Sequence, residues 1–554
     1  MTKACNLCRE LFELSEEEQA MRIRLSALFE AGSMPEPVLC ASCRTLVKTV
    51  WRNERNLYSR KCDQTGKDII SVYPHTAHFP VYERHEWWSD RWDPLSYGRP
   101  FDFSKPFFTQ YKDLQAVVPR AALNTQNVEN CDYCNFAFDS KNCYLCVCSY
   151  SSESNLYCYW MLRTSDCVDC SYCFESKQCL WCTDCNHIFN CVSCTLSHNC
   201  TDCFYLYDCR GCSNCFGCVG LRHKEYYMFN EKLSKEAYGQ RIREFDLQNT
   251  MHVHAVEEKL AQLKMNHPRL YSIQEKTEQC TGDYIFESKN CTNAYQVYRS
   301  QDCINITDSE TTDDLDSYHD GWSQVTYNCY SVVNQQNSAF CIQCWDGHDN
   351  FYSDNCQSSS HTLGCIGLRR QEYCILNKKY TQEEYKLILP KIVAHMESAG
   401  EWGHFFPMEL SPFAYNETMA MEYAPLTKTQ VKDRGLRWQD HLPYTQGKET
   451  VAWDAIPTHI EDVPDTITEE ILACEKTGKN YRITKQELAF YKRKKLPLPR
   501  IHPDQRYQKR NALRNPRKLW KRICGKCGKE MQTTYSPERP EIVYCEECYL
   551  KEVY

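Results

Sequence analysis

The chain has 554 residues, of which 39 are cysteine, and a formal net charge of −8 with 25% charged residues. That length allows about three or four domains with cores of their own, so folding does not require cross-links, and an odd cysteine count fits complete disulfide pairing poorly. The opening MTKACNLCRELFELSEEE carries no signal-peptide pattern, and no stretch approaches the roughly 18 apolar residues of a membrane span. A cytoplasmic protein with reduced thiols is therefore expected, in which paired cysteines are metal ligands first.

In chain order, residues 1–61 form an N-terminal zinc-knuckle module. Cys5 and Cys8 pair with Cys40 and Cys43 to hold one zinc ion, and SEEEQAMRIRLSALFE reads as a helix inserted between the knuckles. Residues 62–129, with YERHEWWSDRWDPLSYGRPFDFSKPFFTQ, are aromatic-rich and lack clear periodicity, so they read as irregular structure packed against the neighbouring repeats.

Residues 130–222 are a repeat array. Cys134, Cys146, Cys158, Cys170, Cys182 and Cys194 stand twelve apart, and Cys131, Cys143, Asn155, Cys167, Cys179 and Cys191 precede them by three. Beyond them the spacing reads as shortening to nine, at Cys200 with Cys203 and Cys209 with Cys212. Asn or Asp before the first cysteine of most rungs supplies turn chemistry. Twelve extended residues trace a closed coil of roughly 40 Å perimeter, and coils stack about 4.8 Å apart. So thin a core needs small side chains, and the thiols read equally as core filler or as zinc ligands. Metal gains the advantage where three or more cysteines follow at this spacing: Cys167, Cys170 and Cys173; Cys179, Cys182 and Cys185; and Cys209, Cys212, Cys215 and Cys218.

Residues 223–279 read as a helical connector, 280–370 as a second array, and 371–473 as a helix plus another aromatic-rich irregular segment. GCVGLRHKEYYMFNEKLSKEAY and GCIGLRRQEYCILNKKYTQEEY lie 147 residues apart, marking an internal duplication. After each a helix is predicted, capped by Ser234 and running toward Asn266, and by Thr381 with Glu384 and running toward Glu397. In the second array TDSETTDDLDSYHDGW gathers Asp308, Glu310, Asp313, Asp314, Asp316, His319 and Asp320. It reads as a solvated loop, with a catalytic or cation site as the alternative.

Residues 474–523 are basic: from Lys476 to Lys529 there are 19 Lys and Arg against Glu487 and Asp504. Lys492, Arg493, Lys494, Lys495, Arg500, Arg506, Arg517, Lys518 and Trp520 combine charge with an aromatic face, as phosphate neutralisation and base stacking require. Docking onto the acidic remainder of the chain is the equal alternative. Residues 524–554 are a zinc ribbon, with Cys524-x2-Cys527 and Cys545-x2-Cys548 separated by 17 residues. Single cysteines open CDQTGK at Cys62 and CEKTGK at Cys474. His75 and His78, and His502, are conceivable companions, but a turn with a buried thiol is the simpler reading.

The phrases WWSDRWDPLSYGRPFDFSKPFF, KNCYLC, FPMELSPFAYNE, ELAFYKRKKLPLPR and ERPEIVYCEECYLKEVY resemble an uncharacterised family of cysteine-rich zinc-ribbon proteins of candidate-phyla bacteria. The resemblance spans nearly the whole chain and implies no activity. Its members carry a further knuckle after PLPR, where this chain has IHPDQR with His502 and Gln505, which argues against a metal at Cys474.

The expected fold is α+β and multidomain: two short-period cysteine-rich β-solenoid arrays with connecting helices, flanked by zinc-knuckle and zinc-ribbon modules. The expected function is a non-catalytic multi-zinc scaffold that presents residues 476–554 to RNA, DNA or a ribonucleoprotein, with no membrane partner. Metal buffering by the rung thiols and an enzyme acting at the acidic stretch are the alternatives.

Overall fold

A corner every third residue organises both arrays. The computed structural model describes residues 2–554 except 246 and 249. From Asn127 to Phe229 each third residue lies in the left-handed region, with φ between +48° and +71°. Each triplet contributes one inward side chain, one residue in the hydrogen-bonded ladder and one corner, so four triplets close a coil of twelve. Tyr144 shows the ladder: its N–H donates to the Asn155 carbonyl at 3.0 Å, and its carbonyl accepts from Tyr157 N–H at 2.9 Å.

Left-handed backbone costs a residue with a Cβ about 1–2 kcal/mol, least for Asn and Asp. That is why Asn142, Asp166, Asn190, Asn199 and Asp208 stand before cysteines: they are corners. Aromatic residues such as Tyr133, Trp160 and Trp181 take corners too, and nothing in their type signals it.

The apparent shortening to nine residues is not a change of coil. Thr183 pairs with Thr195, Thr195 with Tyr207, and Thr201 with Ser213, all at the constant interval of twelve. Cys200 opens a face that no earlier cysteine uses, and Cys209 returns to the face of Cys173 and Cys185. A run such as Cys209, Cys212, Cys215 and Cys218 places one thiol on each of four successive faces, and all four are buried.

The second array obeys the same rule from Tyr284 to Leu376, with one defect: corners step by five from Asp308 to Asp313. There Ile304 pairs with Leu315, eleven residues on, and the register shifts between Glu310 and Thr311. TDSETTDDLDSYHDGW is thus no solvated loop. Thr307–Leu315 is a strand of the stack, and Asp308, Asp314, Asp316 and Asp320 are buried. Period-two reading misses such a strand, because here every third side chain turns inward.

The two stacks lie side by side and run in opposite directions. Phe138 packs on Trp345 (5.0 Å between ring centroids), Trp160 on His319 (4.7 Å) and Phe174 on Tyr298 (5.3 Å), so one chain climbs as the other descends. The aromatic segment covers the second stack, where Gly364 takes a corner: a Cβ there would stand 2.8 Å from the Phe107 ring.

Ser234 and Thr381 cap helices as expected, Thr381 in a capping box with Glu384. The first helix is divided into Lys235–Glu244 and Thr250–Asn266, where Phe245 leaves helical geometry to pack on Phe216 at 5.1 Å. Among the described residues no helix is long and apolar enough to cross a membrane.

Candidate metal centres and the basic segment

Both terminal cysteine sets converge. Among the described residues, Cys5, Cys8, Cys40 and Cys43, and Cys524, Cys527, Cys545 and Cys548, each bring four sulfur atoms within 4.8 Å of one another. A tetrahedral ion 2.3 Å from each sulfur needs sulfurs about 3.8 Å apart. Cys8 and Cys40 are 3.8 Å apart, and Cys527 and Cys545 3.7 Å. One sulfur per set also accepts a backbone N–H: Cys5 from Cys40 at 3.4 Å, and Cys524 from Cys545 at 3.3 Å.

Such bonds favour the thiolate, the form that binds metal. A hydrogen bond from Cys43 brings Cys40 down to about 5. Burial pushes Cys524 up, but the N–H groups of Cys527, Cys545 and Lys526 outweigh it and bring the thiol to about 6. The donor set fits a structural, closed site for a thiophilic divalent ion.

The knuckle recurs twice more without its cysteines. In all four copies the first cysteine's N–H donates five residues ahead and its carbonyl accepts from four ahead: Cys524 from Gly528 (3.0 Å), Cys62 from Gly66 (2.8 Å), Cys474 from Gly478 (2.8 Å) and Cys5 from Arg9 (2.9 Å). Residues 58–88 repeat the hydrogen bonds and strand register of 520–550 at a constant offset of 462. Asp63 N–H donates to Val81 as Gly525 does to Val543 (3.0 and 2.9 Å), and Arg60 Nη1 donates to Pro74 as Arg522 does to Ser536 (2.9 and 3.2 Å). Glu83 N–H donates to Cys62 Sγ at 3.2 Å, the counterpart of the Cys545 bond.

The four ligand positions are therefore Cys62, Thr65, Glu83 and Glu86, and Cys474, Thr477, His502 and Gln505 in the remaining copy. Neither group, nor Cys62 with His75 and His78, is among those that bring three donors together. The signal was present in the sequence as the shared spacing, hidden because cysteine itself had been replaced.

The rung thiols behave differently. Apart from Cys148, which is a corner, they point into the bore, and most lie within hydrogen-bonding distance of carbonyls on their own and the next coil: Cys182 of Leu180 and Cys191 (3.4 and 3.7 Å), Cys209 of Tyr207 and Cys218 (3.5 and 3.6 Å). A few also accept, as Cys134 does from Cys146 N–H at 3.4 Å. Cys167, Cys170, Cys173, Cys179, Cys182, Cys185, Cys209, Cys212, Cys215 and Cys218 are all buried, and among the described residues no three rung sulfurs gather within 4.8 Å.

The acidic residues of the second array are shared out. Asp308 pairs with Arg517 and lies 3.4 Å from His319, Glu310 pairs with Arg299 (2.7 Å), Asp313 with Arg24 (2.7 Å) and Asp316 with Arg44 (2.9 Å). Asp314 and Asp320 point into the bore, where Ser317 and Thr326 donate to them at 2.6 and 2.8 Å. Burial pushes Asp314 well up and Asp320 up to about 7.

Much of the basic segment is docked. Arg506 pairs with Asp169 and with Glu487 (3.1 Å), Arg510 with Asp169 (2.8 Å), Arg514 with Asp184 (3.2 Å) and Arg517 with Asp308. These four arginines run along the seam from the first array to the second. Lys492, Lys495 and Arg500 pair with Asp465 (2.7 Å), Glu461 (3.2 Å) and Glu475 (2.7 Å), and Lys494 reaches Asn190. Arg493 and Lys518 are exposed, and Lys518 lies 5.4 Å over the half-buried Trp520 ring. No protein-family model matches this chain, and no curated protein is significantly similar to it.

Proposed function

We propose that this protein is a non-catalytic scaffold in which two structural zinc ions fix the modules capping a double solenoid, and whose C-terminal ribbon meets nucleic acid or a ribonucleoprotein. The observation that carries the first half is the pair of four-thiolate sets, each in a module anchored on the arrays. Arg44 and Lys48 reach Asp316 and Asn328 (2.9 and 2.7 Å), and Arg222 donates to Tyr549 at 2.9 Å.

The second half rests on the ribbon hairpin, where Lys518, Lys521 and Lys529 are exposed beside Trp520. Three phosphate contacts there give a log-affinity against log-salt slope of about −2 to −3. Fluorescence anisotropy with single-stranded RNA and DNA over a salt series tests this. Lys518→Glu, Lys521→Glu and Lys529→Glu together should remove that part of the slope, and an unchanged slope, or no binding by the full chain, refutes it. Deleting the basic segment is the wrong test, because its arginines hold the seam. Metal buffering has less support, since the rung thiols are engaged as donors, and an enzyme at the acidic stretch has less because its carboxylates serve separate partners.

A further inference from the structure

Away from the thiolate sets, a third group of donors converges on the flank of the second array. His348, Asp349 and His361 bring one donor atom each within 4.8 Å of one another. Asp349 and His361 are corners twelve residues apart, so successive coils stack them, and His348 precedes the first. Glu30, from the loop after the helix Glu16–Ser26, reaches across to His361 and stands outside the group of three.

His348 Nδ1 lies 2.8 Å from Asp349 Oδ2, and His361 Nδ1 lies 3.0 Å from Glu30 Oε2. Neighbouring donors around a six-coordinate ion with bonds of about 2.1 Å stand about 3.0 Å apart. The supporting shell is built as well. Tyr385 O–H donates to Glu30 Oε1 at 3.1 Å, and the His361 ring stacks on Tyr373 at 4.7 Å and 9°. Such contacts fix ligand orientation. Glu372, on the next coil, adds a third carboxylate facing His361, so the cluster is anionic without a bound cation.

We propose that His348, Asp349 and His361 bind a divalent first-row transition ion through two imidazoles and one carboxylate, with Glu30 orienting the His361 ring. Its chemistry differs from that of the terminal sites. Imidazole and carboxylate select zinc, cobalt, nickel or iron over calcium and magnesium, and lack the thiolates that make a site closed and permanent. His348 is about half exposed (48% of its side chain), so the remaining coordination positions open to water and the ion is exchangeable.

The test is anaerobic cobalt titration of the full chain with both thiolate sites already zinc-loaded. The expected result is one cobalt ion per chain giving weak visible bands without thiolate-to-metal charge transfer. His348→Ala and His361→Gln, made separately, should each weaken that binding at least tenfold while the zinc content and thermal unfolding stay as in the parent. Absence of the added cobalt in the parent overturns the proposal, as does cobalt retained in both variants, which would leave a plain hydrogen-bonded cluster. Loss of the thiolate zinc would instead count against the scaffold reading, so the two failures are distinguishable.

Discussion

Restoring three ligands to the copy at Cys62 should create a zinc site where there is none. Thr65, Glu83 and Glu86 occupy the places of Cys527, Cys545 and Cys548 at the same spacing, and the N–H of residue 83 already points at Cys62 Sγ at 3.2 Å. Thr65→Cys, Glu83→Cys and Glu86→Cys together remove the Glu83 cap on His85 and Glu86 N–H, which costs about 1 kcal/mol. They also remove the Glu86–Arg91 pair, whose arginine is 63% exposed and which is worth less than about 1 kcal/mol. Against this, zinc at 1,000 times its dissociation constant stabilises by about 4.1 kcal/mol. The net is about 2–3 kcal/mol in favour of the loaded form. Native mass spectrometry should count one more zinc ion in the triple variant than in the parent, and Cys62→Ser in that background should remove it. An unchanged count would show that the shared backbone geometry does not place four thiolates, and the argument from the repeated hydrogen bonds would fail.

The parent chain should carry about two zinc ions, and the rung thiols other than the half-buried Cys131 and Cys280 should stay silent toward a thiol reagent until unfolding, since they are buried. Unfolding stability should fall as pH rises from about 4 through about 7. Asp320 is held up to about 7 by burial, so between the unfolded and folded pKa values the unfolded chain alone releases the proton. Asp320→Asn should make urea midpoints fall less from pH 4 to pH 7 than in the parent, and an equal pH dependence in the two would contradict it. Arg506→Met leaves Glu487 without a cationic partner in the interior, Asp169 keeping Arg510, and should cost about 3 kcal/mol by chemical denaturation, whereas Arg493→Met, on the surface, should be nearly neutral. Asn199→Val puts a β-branched residue at a left-handed corner and should cost about 1–2 kcal/mol.

The sequence announces the coil length because cysteine fills two faces in most coils, and announces both thiolate modules because their ligand pairs are intact. It conceals the constancy of the coil after Cys194, since cysteine then marks other faces and the intervals between cysteines no longer equal the interval between coils. The module at Cys62 is concealed for the opposite reason: its backbone is kept while its diagnostic residues are gone. Charge alone could not decide what Arg506 meets, because its partner Asp169 is 337 residues away and a carboxylate answers a guanidinium as well as a phosphate does. His348 and His361 lie 13 residues apart, so only the coil register, applied to side chains outside the bore, would have joined them.

A chain that turns a corner every third residue has something like a reading frame. Removing twelve residues from an array deletes one coil and leaves every face above it aligned. Removing three swings everything above the cut by a quarter turn, carrying Asp169 and Asp184 away from the arginines that reach them. Lengthening or shortening in this protein is thus quantised by the seam rather than by the ladder, whose hydrogen bonds would tolerate either change. The eleven-residue coil beside Asp314 shows what a departure from that frame requires: a shifted register, with carboxyl groups and hydroxyls packed into the bore where thiols would otherwise sit.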